Sequence, residues 1–113
     1  MKLFGYVFLA FALVHVSLAG AQDTRKFELR TSDEKLNQLY QEILRRLPAE
    51  EQPKLRKAQR AWITFRDLDC KWAFGAEQLD CMIDRTENRL RELDQTVFFD
   101  STGAYQRAKD KLK

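Results

Sequence analysis

The chain has 113 residues, 44% hydrophobic and 33% charged, with 20 Lys and Arg against 17 Asp and Glu for a formal charge of +3. This length suits one domain, and a charge so slight, with bases interleaved among acids, argues against nucleic-acid binding or adhesion to a membrane surface. One histidine, His15, and two cysteines, Cys70 and Cys81, leave no ligand set for a metal or other cofactor, so none is expected.

Met1-Lys2 is followed by an apolar run from Leu3 to Leu18 and by Ala19-Gly20-Ala21, with small residues where a signal peptidase reads. This pattern predicts a signal peptide over residues 1–21, cleaved after Ala21. An uncleaved anchor is the alternative, but Gly5, His15, Ser17 and Gly20 dilute the run. No cysteine follows Ala21 to accept a lipid, so the expected product is a periplasmic or secreted protein without a stable membrane anchor. Cleavage of 21 residues from 113 leaves 92, a size at which a covalent staple helps a small core.

Residues 22–30 are polar and mixed, which predicts a loose lead-in. Thr31 and Glu34 have the spacing of a capping box, and Leu36, Leu39, Tyr40, Ile43, Leu44 and Leu47 then recur at three and four, so a first helix is predicted over about 32–47, stopped by Pro48. Pro53 suits the first turn of a second helix, predicted over about 53–74 with Gly75 as a left-handed C-terminal cap. Leu55, Trp62, Ile63, Arg66, Cys70 and Ala73 all fall within about 60° of Gln59 on a wheel of 100° per residue. The inward face of this helix therefore carries Gln59 and Arg66 near its middle. A third helix, about 79–97, presents Leu79, Met82, Ile83, Thr86, Leu90, Leu93 and Val97. Residues 98–113 have a turn signal at Asp100-Ser101-Thr102-Gly103 and then a weak pattern, which predicts a polar basic tail or a short final helix. The expected domain spans 22–97 and is all-α, a small antiparallel helical hairpin or three-helix unit.

In an exported protein Cys70 and Cys81 are most simply one disulfide, since the ten residues between them do not match a redox motif and no further ligands complete a zinc site. The bridge makes a firm projection of residues 71–80. Trp72, Phe74, Glu77 and Asp80 lie on it, either as a partner-binding loop or, for the two aromatic residues, as a lid on the core. Arg66 on an inward face needs a partner; Asp69, Asp84 and Glu87 are the candidates, with Trp62 placed to stack on its plane. Gln59, Trp62 and Arg66 thus read as a structural knot or as the lining of a ligand groove. No histidine remains after Ala21 and no nucleophile sits beside a base, so an enzyme is not expected. Asp67 and Asp69 point to different sides of the helix and do not form a catalytic pair.

The combination of Leu36-Asn37-Gln38-Leu39-Tyr40, Leu55, Ala58-Gln59-Arg60-Ala61-Trp62, Phe65-Arg66-Asp67, Cys70, Cys81, Thr86, Arg89 and Leu90-Arg91-Glu92-Leu93 resembles the LprI-like lysozyme inhibitor domain family. The resemblance covers about residues 33–93. It implies an all-α, disulfide-linked domain of the bacterial envelope and a protein partner, for the founding type a lysozyme; Gln59, Trp62, Arg66 and Asp67 are the family-motif residues. The founding type resembles a lipoprotein, and this chain departs from it in lacking the lipid-accepting cysteine. The other reading is a non-catalytic structural or interaction module of the periplasm with another protein partner. From Asp67 to Asp94 eight acids stand against four bases, a charge that would steer a cationic lysozyme toward the segment.

Overall fold

The computed structural model describes residues 18–99 and 102–107. Three helices, α1 (Leu18–Arg46), α2 (Gln52–Ala73) and α3 (Gln78–Gln95), are followed by two short antiparallel strands, β1 (Val97–Phe99) and β2 (Tyr105–Arg107). Residues 1–17 of the expected signal peptide lie outside the described residues, as do 100–101 and 108–113. Among the described residues no helix is long and apolar enough to cross a membrane.

The first helix starts well before the predicted capping box. Thr31 does not cap: its hydroxyl donates to the carbonyl of Phe27, 3.0 Å away and one turn back, as happens inside a helix. Residues 22–30 form part of α1 rather than a loose lead-in, held locally by an Arg25–Glu28 ion pair at 2.7 Å. The lead-in lacks an apolar stripe because much of it packs on nothing; Phe27 is exposed, with the Arg30 guanidinium over its ring.

Pro48 ends α1 as predicted, because it has no N–H and its ring disfavours continuation. The chain reverses within a few residues, with Glu51 N–H bonded to Pro48 O at 2.9 Å and the Gln52 side chain donating to Leu47 O at 3.2 Å. Pro53 stands in the first turn of α2, where a missing donor is harmless. The other end of α2 differs from expectation. Phe74 closes it, and Gly75 opens a single 3-10 turn, Gly75–Glu77, instead of a left-handed cap. Glu77 N–H bonds to Phe74 O at 2.9 Å, so the reversal is made by the tight turn itself.

α1 packs chiefly on α3 and less on α2. Leu36, Ile43 and Leu47 from the first segment meet Leu93 from α3, and Leu39, Tyr40, Leu55, Trp62, Leu90 and Phe98 close around them. At about 25 cal/mol per Å² of apolar area removed from water, this cluster is the main source of stability. Ile63, placed inward on the wheel, lies instead at the exposed edge of α2.

The described part of the segment after α3 is a short strand pair where a polar tail or a final helix was expected. Thr96 leaves the helix in an extended conformation (ψ 131°), and the β-branched and aromatic run Val97-Phe98-Phe99 pairs with Tyr105–Arg107. Phe98 reaches the core cluster. Gly103 in the connection has φ 77°, the region that excludes most side chains, which explains glycine there.

Candidate functional site

α2 carries two contrasting faces. Inward, Gln59, Arg66 and Cys70 are buried and Trp62 is half-buried. The structure brings Gln59, Trp62, Arg66 and Asp67 into one network with residues of the other two helices. Arg66 Nη1 donates to Asp33 Oδ1 of α1 at 2.6 Å and to Thr86 Oγ1 of α3 at 2.9 Å, and its Nε donates to Asp67 at 2.8 Å. Thr86 passes the chain on, donating to Met82 O at 2.7 Å. Two guanidinium groups lie over the Trp62 ring, that of Arg66 at 5.4 Å and that of Arg89 at 5.8 Å from its centroid. Arg89 in turn donates to Gln59 Oε1 at 3.2 Å.

The partners of Arg66 are therefore Asp33, Asp67 and Thr86, in place of Asp69, Asp84 or Glu87. Asp69 is committed elsewhere, to Arg85 at 2.7 Å and to the Trp72 indole N–H at 3.1 Å. Asp33 was the residue missed. It lies 33 positions from Arg66, and no local spacing announces a pair at that distance. The two carboxylates of Asp67 and Asp69 serve separate ion pairs, with no shared space between them. Among the described residues no group of three or more His, Cys, Asp or Glu could hold a metal ion.

Cys70 and Cys81 form the expected disulfide, which ties the end of α2 to the first turn of α3. The hairpin tip it braces turns its aromatic groups outward. Trp72 is 81% exposed and Phe74 is also exposed, so neither is a lid on the core. Glu77 is exposed beside them. Asp80 is partly engaged, bridging to Arg25 of α1 at 2.7 Å. Arg25 is held above its ordinary pKa by its hydrogen bond to Glu28 and then by the charges of Asp80 and Glu28.

Beside the knot, α2 and α3 enclose an open groove of about 490 Å³ lined by Trp62, Phe65, Arg66, Arg85, Asn88 and Arg91, among others. Two of its cations are already answered by carboxylates, Arg85 by Asp69 and Arg66 by Asp33 and Asp67, and Arg91 donates to the Asn88 side-chain oxygen. It is a shallow surface feature rather than an enclosed ligand site.

The family model for lysozyme inhibitor LprI matches residues 19–93, which span all three helices, the network around Arg66 and the disulfide. The chain belongs to the LprI lysozyme inhibitor family. No curated protein and no solved structure gives a match. Membership supports a lysozyme-inhibitor-like role of a general kind, and thus a protein partner. In this LprI-family chain the motif residues Gln59, Trp62 and Arg66 face inward, where they fix the three helices against one another. The hairpin tip instead presents Trp72, Phe74 and Glu77 to solvent.

Proposed function

We propose that this LprI-family protein acts in the periplasm or outside the cell, where it binds a lysozyme or related muramidase and occludes it with the tip of the α2–α3 hairpin. The observation that carries the reading is the outward display of Trp72 and Phe74 on a disulfide-braced turn, in a chain of an inhibitor family. An aromatic side chain held away from the core in water is unfavourable unless something covers it, and aromatic groups dominate binding hot spots. The brace supports preorganisation, because less conformational freedom is lost on docking. Glu77, exposed and without an ion pair among the described residues, and the acid excess over 67–94 suit a cationic enzyme.

The test is titration of the oxidised protein into a cell-wall clearing assay with an animal-type lysozyme, with binding measured at two salt concentrations. Stoichiometric inhibition that weakens with salt is expected. Phe74→Ser combined with Glu77→Gln should weaken it by roughly thirtyfold, the loss typical of one aromatic hot spot, with the far-UV spectrum unchanged. Absence of binding and inhibition by a demonstrably folded sample would reject this reading in favour of an interaction module with another envelope protein.

A further inference from the structure

The outward face of α2 is apolar where a solvated helix should be polar. Ala58, Ala61, Phe65, Leu68 and Trp72 are all exposed, Phe65 at 56% and Leu68 at 62%, and they follow one another at intervals of three, four, three and four. That alternation averages 3.5 residues, the repeat of a coiled-coil seam, and it keeps one narrow stripe facing a partner helix over several turns. No described residue covers this stripe. At about 150–250 Å² for each aromatic side chain, Phe65, Leu68 and Trp72 together expose roughly 400 Å², the scale at which an apolar patch marks an interaction site.

We propose that the stripe is the interface of a two-fold dimer in which α2 packs antiparallel on α2 of a second copy. Two features select this occupant and this direction. The first is size. The stripe runs from small residues, Ala58 and Ala61, to the largest side chain, Trp72, with Phe65 and Leu68 between. Antiparallel pairing sets Trp72 over Ala61 of the second copy and Phe65 over its Leu68, so each layer joins a larger group to a smaller one. Parallel pairing would put Trp72 on Trp72 and leave the alanine end open.

The second feature is charge. Residues 52–66 contain five bases and no acid, whereas 67–80 contain Asp67, Asp69, Glu77 and Asp80 against Lys71 alone. Reversing one copy lays the basic half over the acidic half. Half of these charges have an ion-pair partner within the protomer; Arg56, Lys57 and Arg60 at one end and Lys71 and Glu77 at the other have none among the described residues. In the register that joins Trp72 to Ala61, Lys57 comes opposite Ala76 of the second copy and next to its Glu77, twice by symmetry. Within one protomer Lys57 and Glu77 are separated by about 24 Å of helix, at 1.5 Å per residue, and cannot pair. The proposal does not depend on the identity of any muramidase target.

Sedimentation equilibrium of the oxidised protein over a dilution series tests it. A reversible monomer–dimer equilibrium is expected, and Leu68→Glu, a change on an exposed position one turn before Trp72, should leave only monomer with the far-UV spectrum intact. Lys57→Glu and Glu77→Lys should each weaken the dimer by about tenfold, and the double reversal should recover it to within about threefold of the original. A protein that stays monomeric at the highest attainable concentration overturns the proposal. So does a dimer that survives Leu68→Glu, or a double reversal no stronger than either single change, which would deny the antiparallel contact. The seam and the hairpin tip share Trp72 and Glu77, so a lysozyme bound at the tip would compete with the second copy, and the dilution series is run without lysozyme.

Discussion

Replacing Asp33 and Asp67 together by Asn should destabilise the fold more than removing Arg66 itself. The reasoning rests on unequal exposure: the Arg66 side chain is 7% exposed, while Asp33 and Asp67 are 44% and 47% exposed. In the double variant the guanidinium stays buried without an opposite charge, keeping only the Thr86 hydroxyl, the weaker amide oxygens and the Trp62 face. A stranded buried ion costs about 3–5 kcal/mol, and the amides that remain place this case near 3. In Arg66→Met the two carboxylates turn to water that already reaches almost half their surface, and Thr86 keeps its bond to Met82. What is lost is the ring contact, about 0.5–1 kcal/mol, and charge-assisted bonds largely replaced by hydration, for a total near 1.5 kcal/mol. The difference of about 1.5 kcal/mol corresponds to roughly 6–12 °C in melting temperature for a domain of this size. Thermal and urea unfolding at neutral pH, followed by far-UV circular dichroism, measure it. If Arg66→Met proved as damaging as the double Asn variant, the network would be valued for the arginine's packing and not for its charge pairing, and the argument would be wrong.

Replacing Cys70 and Cys81 together by Ser should lower stability by about 3 kcal/mol, because the bridge closes a loop of sequence separation 11 in the unfolded chain. Urea unfolding of oxidised protein and variant at equal pH gives the difference, and native helix content in the variant at low denaturant is expected. Gly103→Ala should strain the connection between β1 and β2, costing about 1 kcal/mol locally. Amide hydrogen exchange should then quicken at Val97 and Phe99 while α1 and α3 keep their protection; uniform quickening throughout the chain would show the hairpin to be part of the global unfolding unit.

The helices were legible where one face is buried over several turns. Leu36, Ile43, Leu44 and Leu47 mark the lower half of α1 by periodicity alone, and Pro48 and Pro53 bracket the reversal that follows. The upper half of α1 could not be read this way. From Ala21 to Arg30 it is held by backbone hydrogen bonds, local ion pairs and the Arg25–Asp80 bridge, none of which produces an apolar stripe. The strands failed for a related reason. Three residues are too few to show alternation, and Phe98 is drawn to the core by α1 and α3 rather than by its own neighbours.

The site was legible in its centre and not at its edges, for a reason that lies in the geometry of α2. A wheel centred on Gln59 identifies the inward face, and the presence there of Gln59 and Arg66 announces a polar network without naming Asp33, which arrives from another helix. The same wheel puts Ala61, Phe65, Leu68 and Trp72 between about −120° and 180°, opposite that face. The spacing of this second stripe was available in the sequence, yet an apolar residue is ordinarily assigned to the core until the core is seen to be full. Here Leu36, Ile43, Leu47 and Leu93 fill it from α1, α3 and their flanks, and α2 contributes Leu55 and Trp62. With the core closed on one side, the outward stripe stays exposed, Trp72 keeping only its indole bond to Asp69 among the described residues. A helix that keeps a polar knot inside and an apolar seam outside has its fold fixed by the first and its surface left for association by the second, and the dilution series and the Leu68→Glu variant decide whether a second copy is what the seam meets.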